Sequence, residues 1–456
     1  MRQHEKTLSK KKGTTVPGGY REVWLLAYPV VITMVSHTVM MFVDTAMVGR
    51  LGATELAAVG LAGILTWTLF SFFNGLLISI NTFVAQRYGA GDRGGVAVAA
   101  WHGLYIALAS YFVVLLISRF TGTLFGLMQP SPDVQRLGAI YTKIRLYSGL
   151  NLFISFGLGG FLRGIGDTKT PMRIEIVANL INIILDYLLI FGRFGFPRLE
   201  VAGAATATLI ASAISAIIYL IVFLSRRSNQ AFQTRSNLQF DFSEIRRILR
   251  IGLPMGVQFF LDLMSFTVFT AVIGRMGDVV LAANSAGITL MSTSFMPLHG
   301  ISLAATTLVG QYIGSDQLPY ARKSGYTTIK LGVAYTFIVA VVFLTVPETL
   351  FSLITPDAEV VQFARRILFF AALFQVSDGL GICSVGALKG AGDTVFTMWM
   401  GVGFAWLFFL PLAYLLGIWL GYGLAGAWCG ATIYIIVVGS IYFLRFRSDR
   451  WEQIEI

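Results

Sequence analysis

Twelve apolar runs, each long enough to cross a lipid bilayer, constrain this chain more than any other feature. They fall at about 23–49, 56–86, 96–118, 137–160, 172–192, 201–224, 251–275, 280–312, 323–346, 359–387, 394–416 and 421–444. A membrane-spanning helix takes roughly 20 apolar residues at a rise of about 1.5 Å each. Inside hydrocarbon, every backbone N–H and C=O must be satisfied within its own segment, so such runs are helices. The fold class that follows is an all-α polytopic membrane protein. A mean hydropathy of +0.73, with 56% hydrophobic and 12% charged residues, leaves no room for a separate soluble enzyme domain. Runs two, eight and ten exceed the bilayer thickness, which implies tilt or extension beyond it.

The chain contains itself twice. An offset of 225 residues carries Pro29 to Pro254, VGRLG at Val48–Gly52 to IGRMG at Ile273–Gly277, and Leu56-Ala57-Ala58 to Leu281-Ala282-Ala283. The same offset carries Gly75 to Gly300, Gln86 to Gln311 and Gly89 to Gly314, with no gap. An offset of 226 carries RGIGDT at Arg163–Thr168 to KGAGDT at Lys389–Thr394. Six runs precede the midpoint and six follow. An even number puts both copies the same way up, as parallel repeats related by an axis along the membrane normal.

Charge sets the orientation. Twenty-three Lys and Arg residues fall in the two tails and the loops on their side, against eight on the other side, with Lys143, Arg145 and Lys330 inside runs near an end. The positive-inside rule then puts both termini in the cytoplasm. The net charge of +11 is explained by this bias and does not point to nucleic acid. The basic start, MRQHEKTLSKKK, lacks the short apolar core of a signal peptide and reads as a cytoplasmic tail. The expected organisation is a tail over 1–22, a first lobe over 23–224, a cytoplasmic linker over 225–250, a second lobe over 251–444 and a tail over 445–456. The linker ends in FDFSEIRRILR, whose spacing predicts an amphipathic helix on the inner leaflet.

No G-x-x-x-x-G-K-[ST] loop occurs, and the histidines and two cysteines show no metal-ligand spacing. A lone G-x-G-x-x-G at Gly421, Gly423 and Gly426 begins an apolar run, where small residues for close helix contact explain it better than a dinucleotide. Nothing indicates an enzyme or a cofactor. The GDT blocks read as capped turns before the next helix, and Glu175 as an interfacial partner of Arg173.

What remains is a set of polar groups where lipid tails should lie. A charged group at that depth costs about 2.5–3.5 kcal/mol on insertion scales, so it faces a partner or a polar cavity. Asp44 and His37 share one face of the first run, seven residues apart. Run five carries Asn179, Asn182 and Asp186 on one face, and run six carries Thr206 and Thr208. Run seven carries Gln258 and Asp262, and run ten Gln375 and Asp378. Each aspartate alone could be a structural one, hydrogen-bonded to a neighbouring helix; intramembrane carboxylates also mark ion and proton paths. Amides beside a carboxylate suit a protonated acid or a bare cation equally. The repeat sets His37 against Asp262, Asp44 against Phe269 and Asp186 against Leu412, so the copies share a fold and differ in chemistry.

FVDTAMVGRLG at Phe42–Gly52, LRGIGDTKTPM at Leu162–Met172, the LKGAGDT copy and the duplicated twelve-span plan together resemble the multidrug and toxic compound extrusion (MATE) family of secondary transporters. The resemblance covers about residues 20–445. It implies two pseudo-symmetric six-helix bundles around a central V-shaped cleft, which export organic cations and other amphipathic compounds against an inward flow of H+ or Na+. It further implies an N-lobe cation site of the DinF-like branch, here Asp44, Asn182, Asp186 and Thr208, to which Asn179 adds an amide. The C-lobe is similar to the NorM-like branch, with Asp262 where that branch has Glu, Asp378 matching its Asp, and Gln258 and Gln375 beside them. The chain carries both sets, so H+ and Na+ both stay open; one proton shared by two neighbouring acids favours H+.

The substrate cleft is expected to include Met34, His37 and Met264, with no fixed cation at span centres. The functional reading is an ion-coupled antiporter working by alternating access, a monomer in the bacterial inner membrane. Its expected partners are small amphipathic molecules and lipids, with no cofactor and no nucleic acid. A lipid-linked oligosaccharide flippase of the related superfamily is the alternative; that class favours a more basic cavity than this acidic one.

Overall fold

The computed structural model of the chain describes residues 16–127, 131–352 and 357–454. The basic start and the last two residues lie outside these. The first half holds α1 (Tyr20–Gly49), α2 (Ala53–Gly89), α3 (Arg93–Ser118), α4 (Thr121–Leu127), α5 (Pro132–Tyr147), α6 (Gly149–Gly164), α7 (Lys169–Phe191) and α8 (Glu200–Phe223). A short α9 (Arg226–Phe232) leads to the second half, with α10 (Phe242–Gly274), α11 (Asp278–Gly314), α12 (Leu318–Thr345), α13 (Pro347–Ser352) and α14 (Ala358–Ala391). α15 (Thr394–Trp419) and α16 (Gly423–Arg447) complete it.

The duplication shows in the helix ends. α2 and α11 are both 37 residues long, and each end of α11 lies 225 residues after the matching end of α2. The start of α12 follows that of α3 by the same offset. The copies differ in two places. The fourth span of the first half is split at Ser148, whose Oγ and N–H both bond the Arg145 carbonyl, at 2.6 and 3.0 Å, and tighten the turn. Among the described residues, eleven helices are therefore individually long and apolar enough to span, and α5 with α6 supplies the twelfth crossing. In the second half, α15 carries π turns at Ala405–Phe409 and Leu415–Trp419 that its counterpart α7 lacks. Between α15 and α16, Gly421 and Gly423 adopt φ of +74° and +58°, so they form a turn, while Gly426 lets α16 approach the Leu416 carbonyl.

The expected amphipathic helix before span seven is not a separate element. Residues from Phe242 onward run unbroken into α10, because no turn residue interrupts Ser243–Arg250 and the Pro254 ring is accommodated inside the helix. Asp241 starts it by accepting from Ser243 N–H at 2.8 Å and Ser243 Oγ at 3.0 Å. That backbone N–H, then the hydroxyl, holds the exposed Asp241 carboxyl below the usual carboxylate range.

Contacts group the chain into two compact units. One comprises Ile32–Tyr88 and Asp92–Gly256; the other comprises Met1–Val31, Gly89–Gly91 and Val257–Ile456. In the first, Gly203 brings α8 against the α7 backbone: a Cβ there would lie 2.6 Å from the Leu189 carbonyl oxygen. In the second, Phe269, Phe409 and Trp428 form an aromatic core, with ring centroids 5.0 and 5.4 Å from Phe269. At the start of α1, the Glu22 carboxylate accepts from the Gly18 N–H at 2.7 Å and from the Tyr312 hydroxyl at 2.7 and 2.9 Å.

Candidate functional site

The first unit gathers its polar groups around the paired helices α7 and α8. Asn179, Asn182 and Asp186 lie on the buried face of α7, at 7%, 1% and 0% exposure. Asn179 Nδ2 donates to Ser36 Oγ of α1 at 3.0 Å. The Asn182 amide, oriented so that donors meet acceptors, donates to Asp186 Oδ2 at 3.1 Å and accepts the Thr208 N–H of α8 at 3.2 Å. Asp44 is close enough to Asp186 for the two charges to repel. Asp44 Oδ1 and Asp186 Oδ1 are both buried without a hydrogen-bond partner. An orphaned buried carboxylate oxygen is costly unless a proton or a cation satisfies it.

Two residues that the sequence reading gave no role complete this site. Tyr141 of α5 is buried and faces both carboxylates. Arg145, one turn further along α5, acts electrostatically on Asp44, Asp186 and His37. The expectation of no fixed cation concerned span centres; Arg145, near the end of a span, acts on the acids through its charge. Two carboxylates and one guanidinium leave the cluster with one negative charge in excess. The signal was present in the sequence as a Tyr and an Arg four residues apart inside an apolar run.

One turn beyond the acids lies an apolar layer. Val48, Ile190 and Ala204 stand four residues from Asp44, Asp186 and Thr208, and they pack with Ala62, Phe125, Tyr141, Val201 and Ala205. This layer closes the unit on the side of the α1 and α7 C-termini.

The second unit builds a different cluster. Gln258 and Asp262 sit one turn apart on α10, with Gln258 Oε1 and Asp262 Oδ1 buried and unpartnered. On α14, Gln375 donates from Nε2 to Ser294 Oγ at 3.2 Å, which leaves its Oε1, like Asp378 Oδ2, without a partner. Tyr434 faces both aspartates. Gly401 makes room, since a Cβ there would lie 2.7 Å from the Tyr442 hydroxyl and 3.0 Å from Gln258 Nε2. Lys389 supplies Asp262 with an opposite charge from inside the same unit.

His37 is exposed, while Met34 and Met264 are half-buried. Glu175 does not pair with the exposed Arg173; it turns inward and accepts from Ser215 Oγ at 3.3 Å, because α8 offers a hydroxyl where lipid offers none. Asp167 does cap α7, accepting from Thr170 N–H at 3.1 Å and Thr170 Oγ1 at 2.7 Å. Its copy Asp393 instead binds Arg445 at 2.7 Å. Among the described residues, no group of three His, Cys, Asp or Glu side chains is placed to hold a metal ion.

The comparisons with known proteins agree with this architecture. The MatE family matches twice, over residues 29–188 and 254–415, and so registers the duplication. The chain is 32% identical to the probable multidrug resistance protein NorM of Pseudomonas aeruginosa, over 89% of this chain and 84% of that protein. It is 29% identical to the probable NorM of Thermotoga maritima, over 96% and 94%. Among solved structures, an outward-facing multidrug resistance MATE transporter of the MOP superfamily superposes with a TM-score of 0.87 at 22% identity, covering 94% of this chain and 95% of that one. A MOP superfamily transporter from Pyrococcus furiosus gives the same TM-score, identity and coverage. The twice-matched family and the duplicated all-helical fold have one reading: the chain belongs to the MATE family of membrane transporters, and it is a carrier rather than an enzyme.

Proposed function

We propose that this chain exports lipophilic, often cationic, drugs and toxic organic compounds by alternating access, in exchange for protons that bind at Asp44 and Asp186. The observation that carries the reading is the charge of the cluster. Asp44 and Asp186 face each other with one unpartnered oxygen apiece, and Arg145 balances only one of them. A single proton shared by the two acids makes the site neutral, and neutrality is the cheaper state in low dielectric. The Asn182 amide orients Asp186, while Thr208 and Asn179 hold the Asn-bearing face of α7 against its neighbours. No cofactor is needed. The protein acts as a monomer in a bacterial inner membrane, with both termini cytoplasmic by the charge bias. The names of its NorM relatives support the drug-export part of this reading.

Sodium coupling at the second unit is the alternative. It is supported by the unpartnered oxygens of Gln258, Asp262, Gln375 and Asp378, an all-oxygen set of the kind hard cations take. Reconstitution separates the two. Ethidium efflux from liposomes accelerates under an acid-outside gradient and ignores an imposed Na+ gradient if protons couple, and does the reverse if Na+ couples.

A further inference from the structure

The first unit holds a half-buried ionisable group that the coupling site does not use. Glu175 lies in the second turn of α7, four residues before Asn179, so Glu175, Asn179, Asn182 and Asp186 follow one another along a single face. Ser215 of α8 donates to Glu175 at 3.3 Å, and Ser155 of α6 lies 3.5 Å from Ser215. Tyr219 of α8 directs its hydroxyl at the same carboxylate, and the Arg163 guanidinium of α6 faces it. Arg163 and Tyr219 converge over Gly159, where a Cβ would lie 3.1 Å from Arg163 Nη1 and 3.5 Å from the Tyr219 hydroxyl. Arg163 Nε is buried and without a partner. Arg163, Ser155, Ser215 and Tyr219 are the charged and polar groups that face Glu175 from α6 and α8.

The two ends of the unit are therefore unlike. Beyond Asp44 and Asp186, toward the α7 C-terminus, the apolar layer of Val48, Ile190 and Ala204 closes the way. Toward the α7 N-terminus, polar groups continue: Asn182 and Asn179 on α7, Ser212 and Ser215 on α8, then Glu175. That N-terminus begins at Lys169 and lies on the basic, cytoplasmic side by the charge bias. Eleven residues of helix separate Glu175 from Asp186, roughly 16 Å at 1.5 Å per residue, a gap that a proton would need water held by the intervening amides and hydroxyls to cross.

We propose that Glu175, balanced by Arg163 and hydrogen-bonded by Ser215 and Tyr219, is the proton-release group of this bundle, passing to the cytoplasm the proton that leaves Asp44 and Asp186. The step is a proton transfer only: the Asp186 side loses H+, the Glu175 carboxylate gains it, and water on the cytoplasmic side takes it. This inference rests on proton coupling at the Asp44 site, and its test keeps the two apart.

Wild type, Glu175→Gln, Glu175→Asp and Asp44→Asn are reconstituted, and two rates are read: net ethidium efflux driven by a pH gradient, and exchange of labelled for unlabelled ethidium at equal pH, which needs no net proton movement. The expected result is a loss of driven efflux of about tenfold or more in Glu175→Gln, exchange within about twofold of wild type, and recovery in Glu175→Asp with a shifted pH profile. Driven efflux and a pH profile unchanged in Glu175→Gln overturn the proposal, and so does a parallel loss of exchange that Glu175→Asp does not rescue. If Glu175→Gln does not fold, Tyr219→Phe keeps the test open: driven efflux with a wild-type pH profile in that variant counts against the relay. A wild type that ignores the pH gradient defeats proton coupling itself, separately from Glu175.

Discussion

Asp44 and Phe269 occupy the same position in the two copies of one fold, yet Asp44 faces Asp186 while the Phe269 ring packs at a tilt, 5.0 Å from Phe409, in an aromatic core. The duplicated scaffold thus carries chemistry at that position in one half and packing in the other. Substitutions at the pair separate these roles. Asp44→Asn keeps its shape and is expected to insert and melt like wild type while coupled efflux is abolished. Phe269→Ala removes a fully buried ring, which costs about 3–5 kcal/mol, and is expected to lower the thermal midpoint in detergent. Near-wild-type export by Asp44→Asn would make that residue structural.

Gly203 sets how closely α8 lies on α7, the pair that positions Asn182 opposite Thr208. A Cβ at Gly203 meets backbone rather than a flexible side chain, at 2.6 Å from the Leu189 carbonyl oxygen. Overpacking of this kind costs about 1–3 kcal/mol. Gly203→Val is expected to lower the melting temperature and the transport rate together, and Gly60→Ala, at a helical site with open space, to leave transport unchanged.

The pair Asp393–Arg445 joins the second GDT turn to α16 at 2.7 Å, with the guanidinium 4.5 Å from the Phe396 ring centroid. The carboxylate side chain is only 6% exposed, so removing one partner leaves a charge with little water. Arg445→Ala is expected to cost about 3 kcal/mol or more. The double variant Asp393→Ala/Arg445→Ala is expected to cost less than the sum of the two single changes, as read from thermal melts.

Substrate choice follows from the same electrostatics. Asp44 and Asp186 outnumber Arg145, Asp262 and Asp378 outnumber Lys389, and the exposed His37 and half-buried Met34 and Met264 add apolar or neutral surface. Equilibrium binding is expected to favour lipophilic cations over organic anions of similar size. A preference for the anions would contradict this account.

Much of this was legible in the sequence because its signals are long or repeated. Span length, the 225-residue offset and the carboxylates in apolar runs need no tertiary information, and they yielded the helices, the duplication and the acids. What escaped was set by reach and by neighbours. Arg145 looked like a residue near the end of a span, although its charge acts on Asp44, and Glu175 looked interfacial until Ser215 of another helix turned it inward. The split at Ser148 depends on one serine competing for a backbone carbonyl, a choice that hydropathy does not register. Run seven began earlier than its hydropathy suggested, since charged residues at its start did not end the helix.

The central claim is that coupling resides with Asp44 and Asp186, and efflux under an imposed pH gradient in single carboxylate variants tests it most directly. Asp186→Asn is expected to lose as much driven transport as Asp44→Asn, and Asp262→Asn, whose charge Lys389 already balances, to lose less. Transport that persists without a pH gradient, follows Na+, and is lost only with Asp262 or Asp378 would contradict the claim and move the coupling site to the second unit.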